Sequence, residues 1–395
     1  MKIIHTSDWH LGHMICNKDR HKEQESMLNQ MVEIVKREQP DAFLFAGDVY
    51  DSTQPAASVQ TMFSDALVEI HNACPKMAII CISGNHDSNS KHMIFHTPWK
   101  ELNVSMIGNI TREEGNLKKY INKVENKGFI VAVPYAADRN IPEDVFKRLF
   151  KMVEEMNEEQ LPVVLMAHLA IAGCNFKGHE NATEKTIGGL DCQGLEVIGK
   201  GYDYVALGHI HRAQFVKDSQ ERVRYCGTPI PISFDEVESG NEHSVTVVEL
   251  QHHGENPVIR TINIDNPHPL VNLPSEGFAE WDEVKRLFMD YPADIPSYVR
   301  LNVLVDKYLP PMAESEAQQI AQNKQCKSCL VNSKRKEQNH DESSHQQFTT
   351  TEFQQLSPMD VAKMFLDSKG EDFDEELQSL FEEVMKTLIE DVEKQ

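Results

Sequence analysis

Ala42-Phe43-Leu44-Phe45-Ala46 is an unbroken apolar run that stops at Gly47-Asp48, and Met77-Ala78-Ile79-Ile80-Cys81-Ile82 is another, stopping at Ser83-Gly84-Asn85-His86-Asp87. Short runs without polar alternation are strands buried on both faces. The stretches before and between them, 19–38 and 58–72, read as helices, the first with Met27, Met31, Ile34 and Val35 at helical spacing. Buried strands separated by helices make an α/β fold. Working outward, Lys2-Ile3-Ile4-His5-Thr6 is a strand ahead of the first helix, and further strands are predicted at 129–133, 162–167, 203–207 and 244–250.

The residues that follow these strands are of one chemical kind. Asp8 and His10 follow the first, Asp48 the second, and Asn85 and His86 the third. His168 follows the strand at 162–167, and His209 and His211 follow the one at 203–207. In open α/β sheets the carboxyl ends of strands are where sites assemble. One such residue is ordinarily a cap or a turn; this many in the same structural position is a site. Asp, His and Asn without thiolate suit Mn²⁺, Fe or Zn²⁺. The set is too large for one ion with open positions. Two ions sharing a carboxylate fit it, at the ~3.5–4 Å spacing used for in-line attack on phosphorus.

The chain has 395 residues, enough for two or three domains at ~100–200 residues each. Its net charge is -23, which disfavours a protein that grips DNA unaided. Residues 351–395 carry a large share of that, with 13 Asp/Glu against 4 Lys. No apolar run reaches the ~18 residues of a membrane span, and the first residues do not read as a signal peptide, so a cytoplasmic protein with no membrane partner is expected. The eight cysteines are scattered and expected to be free thiols.

The texture changes after Asn266-Pro267-His268-Pro269. A helix at 279–290 and an alternating strand at 299–305 predict a small α+β domain. Residues 312–350 are polar and read as a mobile or weakly helical insertion. Within it, Cys326, Cys329, His340 and His345 approach a zinc-finger spacing but lack the apolar residues a finger needs. The expected domains are therefore 1–265, a first part of the small domain at 266–311, a polar insertion at 312–350 and a helical segment at 351–395. In that last segment Leu377, Leu380, Phe381, Val384, Met385, Leu388 and Ile389 form an apolar stripe. It serves either the protein's own core or a partner.

Asp8-Trp9-His10, Gly47-Asp48, Gly84-Asn85-His86-Asp87, Ala167-His168 and Gly208-His209-Ile210-His211 resemble, in order and spacing, the motifs of the calcineurin-like metallophosphoesterases. His5–Gly12, Gly47–Asp51, Gly84–Ser88 and Tyr225–Glu236 narrow the resemblance to the nuclease subunits of bacterial SbcCD-type DNA-repair complexes. The resemblance implies a two-layered β sandwich flanked by helices, a small capping domain and C-terminal helices. It implies a metal-dependent nuclease, a double-strand 3'-5' exonuclease and single-strand or hairpin endonuclease, with two divalent ions, expected to be Mn²⁺. Asp8, His10, Asp48 and His211 would hold the first ion. Asp48, Asn85, His168 and His209 would hold the second. His86 would serve the leaving oxygen, while Thr228 and Ser233 would touch substrate. Asp51 stands where archaeal relatives carry a histidine, which leaves its role open. Leu377, Leu380, Phe381, Val384 and Leu388 would dock on an SbcC-like ABC-type ATPase, two copies of each subunit forming the complex on DNA ends and hairpins. The competing expectation is a phosphodiesterase or pyrophosphatase for a small nucleotide or lipid-linked substrate.

Overall fold

The computed structural model describes residues 1–94, 96–110, 114–136, 144–176 and 193–336. Along the chain the elements are β1 (Lys2–Thr6), α1 (His21–Glu38), β2 (Ala42–Ala46), α2 (Ala57–Ala73), β3 (Ala78–Ile82), α3 (Asn89–Ile94), α4 (His96–Lys100), β4 (Val104–Ile107), β5 (Ile121–Val124), β6 (Gly128–Val133), α5 (Val145–Glu154), β7 (Val163–His168), β8 (Tyr204–Gly208), β9 (Gln214–Phe215) and β10 (Val223–Tyr225). There follow α6 (Phe234–Glu238), β11 (Ser244–Glu249), β12 (Val258–Asn263), β13 (Leu270–Leu273), α7 (Trp281–Asp290), β14 (Tyr298–Val305), α8 (Ala313–Ala321) and β15 (Lys327–Arg335).

Two six-stranded sheets form the body, in the orders β12-β11-β1-β2-β3-β4 and β5-β6-β7-β8-β10-β9. Strand alternation decides what each face of the first sheet meets. Ile3, Leu44, Ala46, Ile80 and Ile82 point into a core shared with Val131, Leu165, Ala167 and Val205 of the second sheet. Ile4, Phe43, Phe45, Ile79 and Cys81 point the other way, onto Met27, Met31 and Val35 of α1 and Phe63 and Leu67 of α2. Burial on both faces is what the unbroken apolar runs require. Helix α1 stops where Gln39 turns left-handed at φ 44°, its N–H closing on the Val35 carbonyl ahead of Pro40. The α/β class and the layered sandwich both hold.

A third sheet, β13-β14-β15, lies beyond the linker. Its core is Val284 and Phe288 of α7 with Val299, Leu301 and Val303 of β14. The polar stretch from 312 departs from its expected character. Residues 313–321 are helical, with Ala313 and Ala317 buried, and β15 pairs parallel to β14 along its whole length. An edge strand buries little of its outer side, so Lys334 and Arg335 can stay exposed and composition does not betray it. The small domain therefore runs on through β15. Cys326 lies in this domain's core, whereas Cys329 packs beside Ile15, Phe234 and Tyr298. The two thiols sit in separate apolar clusters. His340 and His345 lie outside the described residues, as does the whole segment 351–395 with its apolar stripe. Among the described residues no helix is long and apolar enough to cross a membrane.

Candidate metal centre

Parallel pairing of β1 with β2 and of β2 with β3 brings the ends of three strands of the first sheet together, and β7 beside β8 does the same in the second. The two sets of loops face one another. Two groups of ligand atoms result, Asp8, His10 and His211 in one and Asp48, His168 and His209 in the other, each set lying within 4.8 Å of one another. Every one of these six residues is buried. Each group takes residues from both sheets.

The backbone at the site is strained. Asp8, His10, Asp48 and His209 have φ of 53°, 43°, 54° and 98°, a region that costs a non-glycine residue free energy and clusters at functional sites. Glycines let the loops approach. A Cβ on Gly47 would lie 2.3 Å from His168 Nδ1, and one on Gly84 would lie 2.1 Å from Asp48 Oδ1.

Hydrogen bonds fix the imidazoles. His168 Nδ1 donates to the Ala46 carbonyl at 2.8 Å, which leaves Nε2 aimed at Asn85 Oδ1 (2.9 Å) and Asp48 Oδ2 (3.3 Å). His209 Nδ1 is also 2.9 Å from Asn85 Oδ1, so Asn85 belongs with the second group. His211 Nδ1 donates to Glu236 Oε1 at 3.1 Å. His10 Nε2 is buried without a hydrogen-bond partner and lies 3.9 Å from Asp48 Oδ2, which places Asp48 between the groups. An imidazole held by one nitrogen and offering the other inward is how metal-ligating histidines are arranged. The buried, unsatisfied His10 nitrogen and the all-oxygen-and-imidazole donor set fit two divalent cations.

Charge points the same way. Burial opposes protonation of His10, but Asp51 and then Asp48 and Asp8 hold its pKa up, to about 9. Burial likewise opposes protonation of His168, and Asp48 and Asp8 raise it to about 9. Burial pushes the Asp8 carboxyl up, only partly offset by His168. Burial would raise Asp48 too, yet His168, His10 and His86 pull it well below the usual carboxylate range.

His86 is half-buried at the edge of the groups, its ring 4.9 Å from that of His10. Its N–H donates to Asp48 Oδ1 at 2.8 Å and its Nδ1 donates to the Asp51 carbonyl at 3.0 Å. Asp51 Oδ1 is 3.5 Å from His10 Nδ1, so its carboxylate backs that ring. Thr228, expected to touch substrate, lies in the wall of the site. Its side chain is fully buried and its hydroxyl donates to Glu236 Oε2. Ser233 caps α6, accepting from the Glu236 N–H at 3.2 Å. Glu236 is the residue that motif reading passes over. Flanked by Asp235 and Glu238, it gives no local signal of burial; its role comes from the fold that brings His211 to it.

Residues 1–213 match the calcineurin-like phosphoesterase family. The SbcD subunit of the nuclease SbcCD from Rhodobacter capsulatus is 31% identical over 311 residues, covering 72% of this chain and 74% of the relative. The chain belongs to the calcineurin-like phosphoesterases, in the SbcD family. The SbcD subunit from Escherichia coli K12 is 25% identical over 412 residues, covering 98% of both chains. That of Bacillus subtilis is 29% identical over 290 residues, covering 69% of this chain and 71% of the relative. Residues 266–370 match the family described as the type 5 capsule protein repressor C-terminal domain, which takes in the third sheet of this SbcD-family chain. As a member, the chain is a phosphodiester hydrolase.

Proposed function

We propose that this chain is a metal-dependent DNA nuclease, a double-strand 3'-5' exonuclease and single-strand or hairpin endonuclease, that works with an SbcC-like ABC-type ATPase. The observation that carries the proposal is the pair of buried ligand groups joined by Asp48, with His86 beside them. Asp8, His10, Asp48 and His211 would hold one ion and Asp48, Asn85, His168 and His209 the other, with Mn²⁺ as the proposed pair. When bound, two such ions assist attack by water on phosphorus and neutralise the phosphate oxygens. His86 Nε2 would hold the proton that the leaving oxygen needs, while Asp51 and Glu236 keep His10 and His211 in place.

The relatives, each the SbcD subunit of a nuclease SbcCD, support the choice of DNA over a small phosphodiester and the pairing with an ATPase. A chain with a net charge of -23 fits a nuclease whose DNA-binding surface is supplied largely by that partner. Leu377, Leu380, Phe381, Val384 and Leu388 are the proposed docking stripe, in an assembly of two nuclease and two ATPase subunits in the cytoplasm. The test is Mn²⁺-dependent release of nucleotides from an end-labelled blunt duplex, with and without the cognate ATPase and with Asp48→Ala as control. Release that vanishes in the variant is expected. Cleavage of an artificial phosphodiester without release from DNA would hand the function to the small-substrate reading.

A further inference from the structure

Helix α6 is a single turn held on two sides by different parts of the molecule. On one side, the third sheet supplies Arg300 of β14, whose guanidinium is buried. Its Nη1 donates to Asp235 Oδ1 at 2.6 Å, its Nη2 donates to Glu238, and its Nε donates to Asn272 Oδ1 at 2.9 Å. Asn272 in turn donates to the Phe234 carbonyl, and the guanidinium lies 5.3 Å over the Phe234 ring. Asp235 and Glu238, three residues apart, share one face of the turn. Glu236 leaves the helix on another face. It is fully buried, with one carboxylate oxygen on His211 Nδ1 and the other accepting from Thr228 and the Ile232 N–H.

The strand-to-helix loop before α6 is tied at the same junction. Arg20 Nη1 donates to the Pro231 carbonyl at 2.7 Å, and the Tyr298 hydroxyl, two residues before Arg300, donates to the Asp19 carbonyl. Ile15, Phe234, Leu270 and Tyr298 form a small apolar cluster between the third sheet and the body. The third sheet, α6 and His211 are thus joined by one chain of short polar contacts.

We propose that Arg300 is a positioning residue for the metal centre: by gripping α6 it sets Glu236, and through Glu236 the ring of His211. This rests on the two-ion reading and deepens it. The third sheet becomes a lever on one ion of the pair. By thermodynamic reciprocity, an ion in the His211 group tightens the hold of the third sheet on the body, and anything that docks on the third sheet and shifts it alters that ion's affinity by the same factor. In the second group His168 is held by the Ala46 carbonyl and His209 lies against Asn85, contacts that do not run through Glu236.

The experiment is Mn²⁺ titration of the full chain by calorimetry, with bound ions counted by electron paramagnetic resonance, for the parent, Arg300→Met, Glu236→Gln and the double variant. Loss of a histidine's outer partner costs about 10–100-fold in metal affinity. Each single variant is expected to weaken one of two ions about tenfold and leave the other at its parental affinity. The double variant is expected to be no worse than Glu236→Gln alone, because both act through one path. Asp235→Asn with Glu238→Gln releases the same grip without removing the buried arginine stem, and is expected to reproduce the single-ion loss if Arg300→Met unfolds. Parental affinity for both ions in the Asp235/Glu238 variant overturns the proposal. So do equal losses at both ions, or losses that add in the double variant. A parent that binds fewer than two ions overturns the two-ion reading itself and this inference with it.

Discussion

Asp87 stitches together the two loops that carry Asp48 and Asn85, and replacing it with asparagine tests how far the centre is pre-shaped. Its Oδ2 accepts the N–H of Gly84 at 2.9 Å and of Val49 at 3.2 Å, and its Oδ1 accepts that of Tyr50 at 3.1 Å. In Asp87→Asn the amide oxygen can take over one of those seats, and the NH₂ must then face an N–H. A hydrogen bond to a charged group contributes ~1.5–3 kcal/mol against ~0.5–1.5 for a neutral one, and an orphaned buried donor costs ~1–3. Keeping the two-donor seat turns two charged bonds neutral and orphans the half-buried Tyr50 N–H, for a sum of about 3–6 kcal/mol. Urea unfolding of metal-free protein, followed by tryptophan emission, is expected to show a lower midpoint with an unchanged slope. Mn²⁺ affinity is expected to fall as well, since Asp48 and Asn85 sit on the loosened loops. A change under about 0.5 kcal/mol with parental Mn²⁺ binding would refute the reasoning, and would mean that the loops keep their shape without Asp87.

Two further outcomes follow from charge. His5, fully buried between the sheets with Nδ1 on the Tyr204 hydroxyl, is pushed down to about 3 by burial and then by Arg224. Its folded pKa lies below the unfolded value, so its protonation favours unfolding, with no penalty above about pH 6.5 and a growing one below it. From pH 7.5 to 5 the parent is expected to lose about 2 kcal/mol more than His5→Gln in metal-free urea denaturation; parallel pH curves would sink this. At the metal centre, His10 and His168 are raised to about 9 and must shed their protons to bind a cation. Calorimetry in buffers of different ionisation enthalpy at pH 7 is expected to show about one proton released per ion bound, and affinity to rise roughly tenfold per pH unit up to about pH 9. Buffer-independent heats would contradict it.

What could be read from sequence was what a short window contains. The apolar runs ending at Gly47-Asp48 and Gly84-Asn85 announced buried strands, and six of the side chains that follow the strands gather in two buried groups. The edge elements did not announce themselves. Strand β12 is almost wholly exposed, β9 has two residues, and β15 carries Lys and Arg at the edge of its sheet among the described residues; pairing partners make these strands, and partners are distant in sequence. Glu236 and Asp87 were written in the motifs, but what they hold depends on loops many residues away. Thr228 shows how a motif residue's surroundings are set by the fold. It lies in a string that marks the family, and its hydroxyl is spent inside the wall of the site.

The mixed origin of each ligand group bears on when the protein becomes dangerous. One group is completed by His211 and the other by His209, whereas Asp8, His10 and Asp48 leave the ribosome early. The first sheet is also unfinished until β11 arrives to pair with β1. Chains fold as they are made, amino end first, so a nascent chain reaches the end of β4 with half a site and no means of closing it. On the proposed ligand assignment, the chain is expected to bind no metal pair until the second sheet is made. If those ligands act as proposed, a product truncated before His209 keeps the opening motifs and is expected to lack metal-dependent cleavage.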